Sequence, residues 1–195
     1  MADNLAYDMR EDEPWEELID GRVVAMSPRP SINHHIISLN IYNIFKRFLR
    51  GKPCRPFGDG VDLYLTEEDR FVPDGMVVCD KSKIRSDGIH GGPDLVIEVL
   101  SPSTSRQDKI YKKDVYERCG VREYWIVSPQ ERMVEQYVLE DGKFVLRDVY
   151  QQYPDYRLER MTDAEKAALV TEFRCTLFPD LAIRLDDIFG NLLPG

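Results

Sequence analysis

The run LVIEVL at positions 95–100 constrains the fold more than any other part of this sequence. Its residues are apolar apart from Glu98, and such a run is typical of a strand buried on both faces at the centre of a sheet. A helix is predicted over 105–119, because N-cap residues precede it and Gly120 offers a left-handed C-cap. A second core strand, VREYWIV, follows at 121–127. Strand, helix and strand form a β-α-β unit with parallel strands, so the centre belongs to the α/β class.

Hairpins and one long helix are predicted around this unit. Asp20 and Gly21 favour the turn of a hairpin over 17–26, and the sequence EDGK at 140–143 favours another between strands at 134–139 and 144–150. Apolar residues at helical spacing predict a helix over 31–50. A third hairpin is predicted over 61–79, and a polar loop over 80–92. A short exposed helix is expected over 162–171, and the apolar tail from 175 is expected to pack onto the core.

These elements predict an α/β (α+β) fold, with a mixed central β-sheet flanked by helices and with additional β-hairpins. A chain of 195 residues with 43% hydrophobic residues can bury one ordinary core. We therefore expect a single domain over 1–195, of which residues 1–16 form an acidic and flexible N-terminal segment.

The net charge of −9 argues against a protein that coats nucleic acid through a basic surface. Eight acids and one arginine lie within the first 20 residues, so most of the negative charge is concentrated there. Basic clusters remain elsewhere, and we expect them to be solvated faces rather than DNA contacts. They are Lys46, Arg47, Arg50, Lys52 and Arg55; Lys81, Lys83 and Arg85; and Arg106, Lys109, Lys112 and Lys113.

The cysteines and the N-terminus both point to the cytoplasm. Four cysteines stand far apart, without a C-x-x-C pair or a histidine at zinc-ligand spacing, and we expect reduced, partly buried thiols. No stretch is long and apolar enough to span a membrane, and the N-terminus is acidic where a secretory signal would be basic. We expect a cytoplasmic protein.

Glu98 is the most informative candidate for chemistry, because a carboxylate inside an apolar strand loses hydration unless something compensates it. Asp94 shares its strand face and is expected to line the same cleft. Two compensations are open: a bound cation, or an ion pair with a nearby lysine or arginine.

Asp74 lies between Pro73 and Gly75, where proline interrupts the strand and the carboxylate can turn out of it. If the hairpin over 61–79 packs beside residues 94–100, Asp74 and Glu98 converge, and Asp62 lies on an adjacent strand. Convergent carboxylates repel one another unless a hard cation lies between them, and Mg²⁺ or Mn²⁺ takes such ligands.

Motifs throughout the chain carry a resemblance to a known family. They are Pro73-Asp74, GPDLVIEVLSPST at 92–104, then Asp108, Lys112 and Tyr116, GVREYWIV at 120–127, ELIDG at 17–21, SP at 27–28, the histidine pair at 34–35, LFP at 177–179 and DIF at 187–189. Together they resemble the Uma family of restriction endonuclease-like proteins, over nearly the whole chain.

The resemblance implies a PD-(D/E)XK, restriction endonuclease-like core in which Asp74 and Glu98 bind Mg²⁺ (or Mn²⁺) that activates water. The signature of this fold places a lysine two positions after the second acid, where this sequence has Leu100. A lysine from the following helix can replace it: Lys112 is the first candidate and Lys113 the second. An ordinary i,i+4 pair of Lys112 with Asp108 is the alternative.

Two further residues are supporting candidates in this resemblance. They are Glu17, from the N-terminal segment, and His35, at the start of the long helix.

The expected function is that of a Mg²⁺-dependent DNA endonuclease, and by analogy with the family a homodimer. The alternative is a non-catalytic nuclease-fold protein that binds nucleic acid or a protein partner. Hydrolysis of another phosphate substrate by the same acids is a third hypothesis, because fold does not determine substrate.

Overall fold

The computed structural model describes residues 16–25, 30–101 and 105–193. The helices are α1 (Ile32–Phe48), α2 (Ser105–Gln107), a π-helical turn (Asp108–Lys112), α3 (Lys113–Arg118), α4 (Asp155–Leu158), α5 (Asp163–Ala167) and α6 (Leu185–Phe189), with a 3-10 turn at Lys81–Lys83. The strands are β1 (Glu16–Ile19), β2 (Arg22–Ala25), β3 (Arg55–Gly58), β4 (Leu63–Tyr64), β5 (Arg70–Phe71), β6 (Gly75–Val78), β7 (Ile84–Arg85), β8 (Gly88–His90), β9 (Leu95–Val99), β10 (Glu123–Ser128), β11 (Met133–Glu140), β12 (Lys143–Gln151), β13 (Glu172–Arg174) and β14 (Ala182–Arg184).

The central sheet has six strands in the order β12-β11-β10-β9-β6-β3. The β9 and β10 strands are parallel and every residue of both is buried, while the other neighbours in this sheet are antiparallel. The predicted β-α-β unit and the mixed central sheet are therefore confirmed. Gly120 has φ of 75°, the left-handed conformation expected after the helix.

Two apolar layers cover the two faces of the central sheet. On β9, Leu95, Ile97 and Val99 face α1 and the C-terminal tail. Val96 faces the opposite layer, which contains α3 residues and the second sheet. This alternation follows from the two-residue period of a strand. The predicted packing of the tail onto the core is confirmed, since Ile183 and the apolar residues of α6 are buried in the first layer.

A second six-stranded sheet, in the order β2-β1-β5-β4-β8-β7, lies over the α3 side. Its β1–β2 hairpin has the predicted turn, in which Asp20 (φ 51°) and Gly21 (φ 71°) are both left-handed. The predicted hairpin over 61–79 is only half right. Leu63 pairs with Phe71 as expected, but the chain then leaves this sheet and enters the central one as β6.

Further local predictions are confirmed and one is wrong. The β11–β12 hairpin forms around Asp141 and Gly142, and the exposed helix α5 begins at a capping box between Thr162 and Glu165. The polar loop predicted over 80–92 instead contains the β7–β8 hairpin. Its strands have only two or three residues, too few to produce a periodic sequence pattern.

The cysteines require a correction. Cys54 and Cys79 form a disulfide, while Cys119 and Cys175 are free thiols as expected. The pair is separated by 25 residues but follows directly from the register of β3 and β6, in which Arg55 lies opposite Val78. The spacing of the two cysteines in the sequence does not indicate a disulfide, because only the pairing of β3 with β6 brings them together.

The third basic cluster is a solvated face only in part: Arg106 is exposed, but the three lysines have partners within the protein. Lys109 forms an ion pair with Glu135 at 2.7 Å, Lys112 is buried, and the Lys113 ammonium lies 3.7 Å from the centre of the Tyr137 ring. The positive charge of these three lysines is therefore directed at groups of the protein itself.

Some expectations fall outside the ranges that the structure describes. They are the flexible acidic segment, apart from Glu16 in β1, the Ser27-Pro28 motif, and the N-cap candidates at 102–104. Among the described helices, none has the length and apolar character needed to cross a membrane.

Candidate active site

Glu98 lies on β9, in the layer that faces α3, and is 3% exposed. Its Oε1 accepts a hydrogen bond from the Tyr116 hydroxyl at 2.7 Å and lies 3.3 Å from the Lys112 ammonium. Burial raises the pKa of Glu98 well above its ordinary value, and the nearby ammonium only partly opposes this. An ion pair with Lys112 is therefore present at this acid, and it is one of the two compensations left open by the sequence.

Lys112 ends the π-helical turn, which directs its side chain into the protein. Its ammonium lies 2.8 Å from Glu17 Oε1, 3.3 Å from Glu98 Oε1 and 3.4 Å from Asp108 Oδ1. The pKa of Lys112 is raised, because the attraction of these carboxylates outweighs the burial that would lower it. Three carboxyl groups face one ammonium, so acids outnumber bases in this cluster.

Asp74 lies where the chain crosses from the second sheet to the central one. Gly75 pairs with Ile97 in antiparallel register, so Asp74, one residue earlier, stands opposite Glu98, one residue later. The Asp74 carboxylate accepts a hydrogen bond from the Val99 backbone N–H at 2.7 Å through Oδ2. The two acids singled out by the sequence are therefore brought together by the β6–β9 pairing.

His34, on the first turn of α1, contacts the same carboxylate, with its Nε2 3.2 Å from Asp74 Oδ1. Although burial opposes protonation, the hydrogen bond and charge of Asp74 raise the pKa of His34 above its ordinary value, with help from the Val99 backbone. His35, the histidine predicted from the sequence as a supporting candidate, is exposed. Neighbouring residues on a helix point about 100° apart, so His34 contacts Asp74 while the side chain of His35 stays exposed.

Asp59 is a further acid near the site that sequence reasoning missed. Burial first and the Asp74 charge second raise the pKa of Asp59, while His34 and His35 act in the opposite direction. The residue follows β3, a strand whose sequence RPFG contains Pro and Gly and gave no strand signal. The nearness of Asp59 to Asp74 depends on the β3–β6 pairing.

The remaining candidates lie elsewhere. Asp62 pairs with Arg70 at 3.8 Å. Asp94 accepts the Cys79 backbone N–H at 2.7 Å and is about 13 Å along the strand from Glu98, at roughly 3.3 Å per residue. Lys113 packs on an aromatic ring, as described above. The expectation that Asp94 and Glu98 line one cleft is therefore not met, because Asp94 precedes β9 and Glu98 lies near the other end of the strand.

Glu123 is another buried carboxylate, 0% exposed, and it lies outside this site. Its Oε1 accepts hydrogen bonds from Trp125 Nε1 at 2.7 Å and Gln136 Nε2 at 2.6 Å. Its Oε2 accepts from the backbone N–H groups of Thr176 and Leu177, at 3.0 and 3.2 Å. Glu123 thus ties the C-terminal tail to β10, and its sequence context, VREYWIV, hid this role because an acid at a strand start is usually exposed.

Asp74 and Glu98 offer two carboxylates. This suits Mg²⁺, which needs few protein ligands, better than a metal whose ligands all come from the protein. Within 16–25, 30–101 and 105–193, no three His, Cys, Asp or Glu side chains form a group that could hold a metal ion. Mg²⁺ commonly binds through one or two carboxylates and completes its shell with waters and substrate phosphates. No hydrogen bond from the described part of the chain reaches Glu98 Oε2, which leaves one carboxylate oxygen for such a ligand.

Comparison with known proteins agrees with this architecture. A crystal structure titled as a "putative nuclease belonging to DUF820", from Anabaena variabilis, superimposes with a TM-score of 0.66 over 91% of each chain, at 22% sequence identity. This likeness shows the restriction endonuclease-like fold. An uncharacterized protein of Synechocystis is 29% identical over 152 residues, which cover 77% of this chain and 73% of that protein.

The family comparison is more specific. Residues 2–177 match the model of the Uma2 family, described as "Putative restriction endonuclease". This range contains every residue of the cluster built from β1, α1, β6, β9 and the π-helical turn. The chain belongs to the Uma2 family.

Proposed function

We propose that this protein is a Mg²⁺-dependent DNA endonuclease whose acids are Asp74 and Glu98 and whose lysine is Lys112. One observation carries the proposal: the lysine missing from β9 is replaced in space by Lys112, 3.3 Å from Glu98. Leu100, which stands at the usual lysine position, packs against the apolar layer on the α3 side. The family and the fold support a nuclease, and the cluster supports this assignment of roles.

Each residue has a distinct role in the proposed reaction. Asp74 and Glu98 would hold the ion, which supplies an activated water and stabilises the charge that develops on the phosphate. The Val99 N–H and Tyr116 hydroxyl orient the two carboxylates. Lys112 stays protonated and lowers the cost of keeping Glu98 ionised in a buried place. The surplus of acids over bases around it would favour a divalent cation.

The substrate and the assembly are also proposals. DNA is proposed because restriction endonuclease-like families act on it, and with a net charge of −9 the protein must bind it through a local surface. A homodimer would let one active site per subunit cut both strands. Sedimentation of the protein with and without a DNA duplex tests this assembly.

A non-catalytic role is the alternative, and one observation favours it. Lys112 is buried, and its shortest ion pair is with Glu17 rather than Glu98. A lysine held in this way stabilises the fold and has no need of a substrate. Such a protein would bind nucleic acid or a protein partner without cleaving anything.

Calorimetric titration with Mg²⁺ and Mn²⁺ tests the metal centre. Wild-type protein is compared with Asp74→Asn, Glu98→Gln and the control Asp62→Asn, an acid that pairs with Arg70 away from the cluster. Binding is expected in wild type and the control, and its loss is expected in the other two variants. Binding that survives in both Asp74→Asn and Glu98→Gln would refute this metal site.

Cleavage of supercoiled plasmid, with the same variants, tests the activity. Nicking that requires the divalent ion and disappears in Asp74→Asn and Glu98→Gln supports the endonuclease. Salt-dependent DNA binding without cleavage, under conditions in which the metal binds, would favour the non-catalytic alternative.

We also propose that the protein acts in the cytoplasm. Thiols are kept reduced there, so the Cys54–Cys79 disulfide would have to resist the glutathione pool or exist as a dithiol in cells. Alkylation of free thiols in intact cells, followed by mass spectrometry, measures which form is present.

A further inference from the structure

The described contacts of the β1–β2 hairpin with the rest of the protein are made by β1 and the turn, and not by β2. β1 pairs with β2 along its whole length but with β5 at only one position, where Leu18 lies opposite Arg70. Every residue of β2 is exposed, and Val23 is 62% exposed. The position of the hairpin therefore depends on β1, whose Glu16 carbonyl accepts from Arg70 at 3.3 Å, and on the turn, whose Gly21 N–H donates to the Glu68 carbonyl at 3.0 Å.

Glu17 makes the most buried of these attachments, with its side chain 8% exposed. One oxygen, Oε1, accepts the Val72 backbone N–H at 2.9 Å and lies 2.8 Å from the Lys112 ammonium. This is the shortest of the three ion pairs that Lys112 makes. A single carboxylate oxygen thus joins the π-helical turn to the segment that crosses between the two sheets.

A second link runs parallel to the first. Asp69 Oδ1 accepts the Asp20 backbone N–H at 3.3 Å and the Tyr111 hydroxyl at 2.8 Å. Tyr111 directly precedes Lys112, so the hairpin holds two consecutive residues of the π-helical turn. The hairpin is therefore fixed relative to this turn at both its strand and its loop.

We propose that Glu17 is a positioning residue that keeps Lys112 and Asp74 in mutual register. Val72 is separated from Asp74 only by Pro73, whose ring fixes φ, so a displacement of Val72 is transmitted to the acid. Asp74 in turn accepts the Val99 N–H, on the strand that carries Glu98. Lys112 and Asp74 matter for this inference because the proposed function assigns the reaction to them.

The proposed role differs from that of a metal ligand. Glu17 Oε1 is occupied by an N–H donor and an ammonium, and its effect on Asp74 passes through the backbone of residues 72–74. Asp108 provides a matched control. It also pairs with Lys112, at 3.4 Å, but from the same helix, and its removal takes one charge from Lys112 without touching Val72.

Amide ¹H–¹⁵N spectra and hydrogen exchange, recorded without metal or DNA, test the inference. The variants are Glu17→Ala, Glu17→Asp, Glu17→Gln and Asp108→Asn. In Glu17→Ala and Glu17→Asp, we expect the Val72 amide to exchange at least about tenfold faster, because the acceptor oxygen is removed in one variant and drawn back from the amide in the other. The Val99 amide, which reports the position of Asp74, should shift in the same variants.

Rescue and control complete the design. Glu17→Gln keeps a carbonyl oxygen at the same distance and should leave both amides close to wild type, and Asp108→Asn should do the same. Glu17→Asp keeps the charge but shortens the side chain. If Glu17→Ala does not fold, the Val72 and Val99 amides of Glu17→Asp test the inference instead.

Two results would overturn the inference. One is a Val99 amide that stays at its wild-type position while Val72 is perturbed. The other is an equal response of both amides in Asp108→Asn. Since the samples contain no ion and no substrate, a failure here is separate from a failure of the proposed nuclease function.

Discussion

Replacement of Lys112 by methionine should destabilise this protein far more than an ordinary surface substitution. The ammonium is buried and lies within 3.4 Å of three carboxylates. Removing one partner from a buried ion pair costs about 3–5 kcal/mol, because the remaining charge is left uncompensated. Since domains have roughly 5–15 kcal/mol of total stability, this change would remove a large share of it.

Urea unfolding at pH 7, followed by circular dichroism, measures the effect. With a slope of about 2–3 kcal/mol per molar urea, the midpoint should fall by roughly 1.5 M. The matched control is Lys113→Met, the next residue on the helix, whose ammonium lies over the Tyr137 ring. Loss of that contact should cost only about 0.5–1 kcal/mol.

The cost of Lys112→Met should also depend on pH. Burial already raises the pKa of Glu98, and loss of the ammonium that opposes this raises it further. A carboxyl with a raised pKa in the folded state takes up a proton more readily there than in the unfolded chain, so folding becomes more favourable as pH falls. The deficit should therefore be smaller at pH 5 than at pH 8. A cost below about 1 kcal/mol at pH 7, or one equal to that of Lys113→Met, would refute the arrangement of charges around Lys112.

Three further outcomes are expected. In the wild type, the raised pKa of Glu98 means that stability is lost as pH rises above about 4.5, the pKa of an ordinary glutamate. The free energy of unfolding of Glu98→Gln, measured relative to wild type by urea titration, should therefore increase from pH 5 to pH 8. The opposite trend would contradict the raised pKa. In Glu123→Gln, the new amide N–H group faces the backbone N–H donors of Thr176 and Leu177, so the free energy of unfolding should fall by about 2–4 kcal/mol in the same assay. An unchanged free energy of unfolding would exclude the role of Glu123 in holding the C-terminal tail. Cys54→Ser should lower the stability of the oxidised protein by about 3 kcal/mol, a difference that disappears in reductant; equal stability of both proteins without reductant would show that the pair with Cys79 does not form.

Much of the fold was predictable from short stretches of sequence. The turn at Asp20 and Gly21, the long helix α1 and the β9-helix-β10 unit all rely on residues close together in the chain. The turn requires left-handed residues, and the buried strand requires a continuous apolar run. For these elements, the conformation favoured by the local sequence is the same as the conformation that the tertiary structure requires.

The site was predictable in part, because a buried acid in an apolar strand is conspicuous. Glu98 could be selected from its six-residue context, and Asp74 from the proline before it. The partners could not be ranked in the same way. Whether His34 or His35 faces Asp74 depends on the rotation of α1 about its axis, which is set by how its apolar side packs on the sheet.

The sequence by itself determined the parallel core, the candidate acids and the local turns, because these are carried by periodicity and residue type. Only the tertiary structure decided which distant segments meet. The pairing of β3 with β6 joins Cys54 to Cys79, the pairing of β6 with β9 brings Asp74 opposite Glu98, and the docking of the first hairpin brings Glu17 to Lys112. The entropy cost of closing the loops between these segments is offset by burial and hydrogen bonds that form only in the folded state. No local stretch of sequence therefore predicts these contacts.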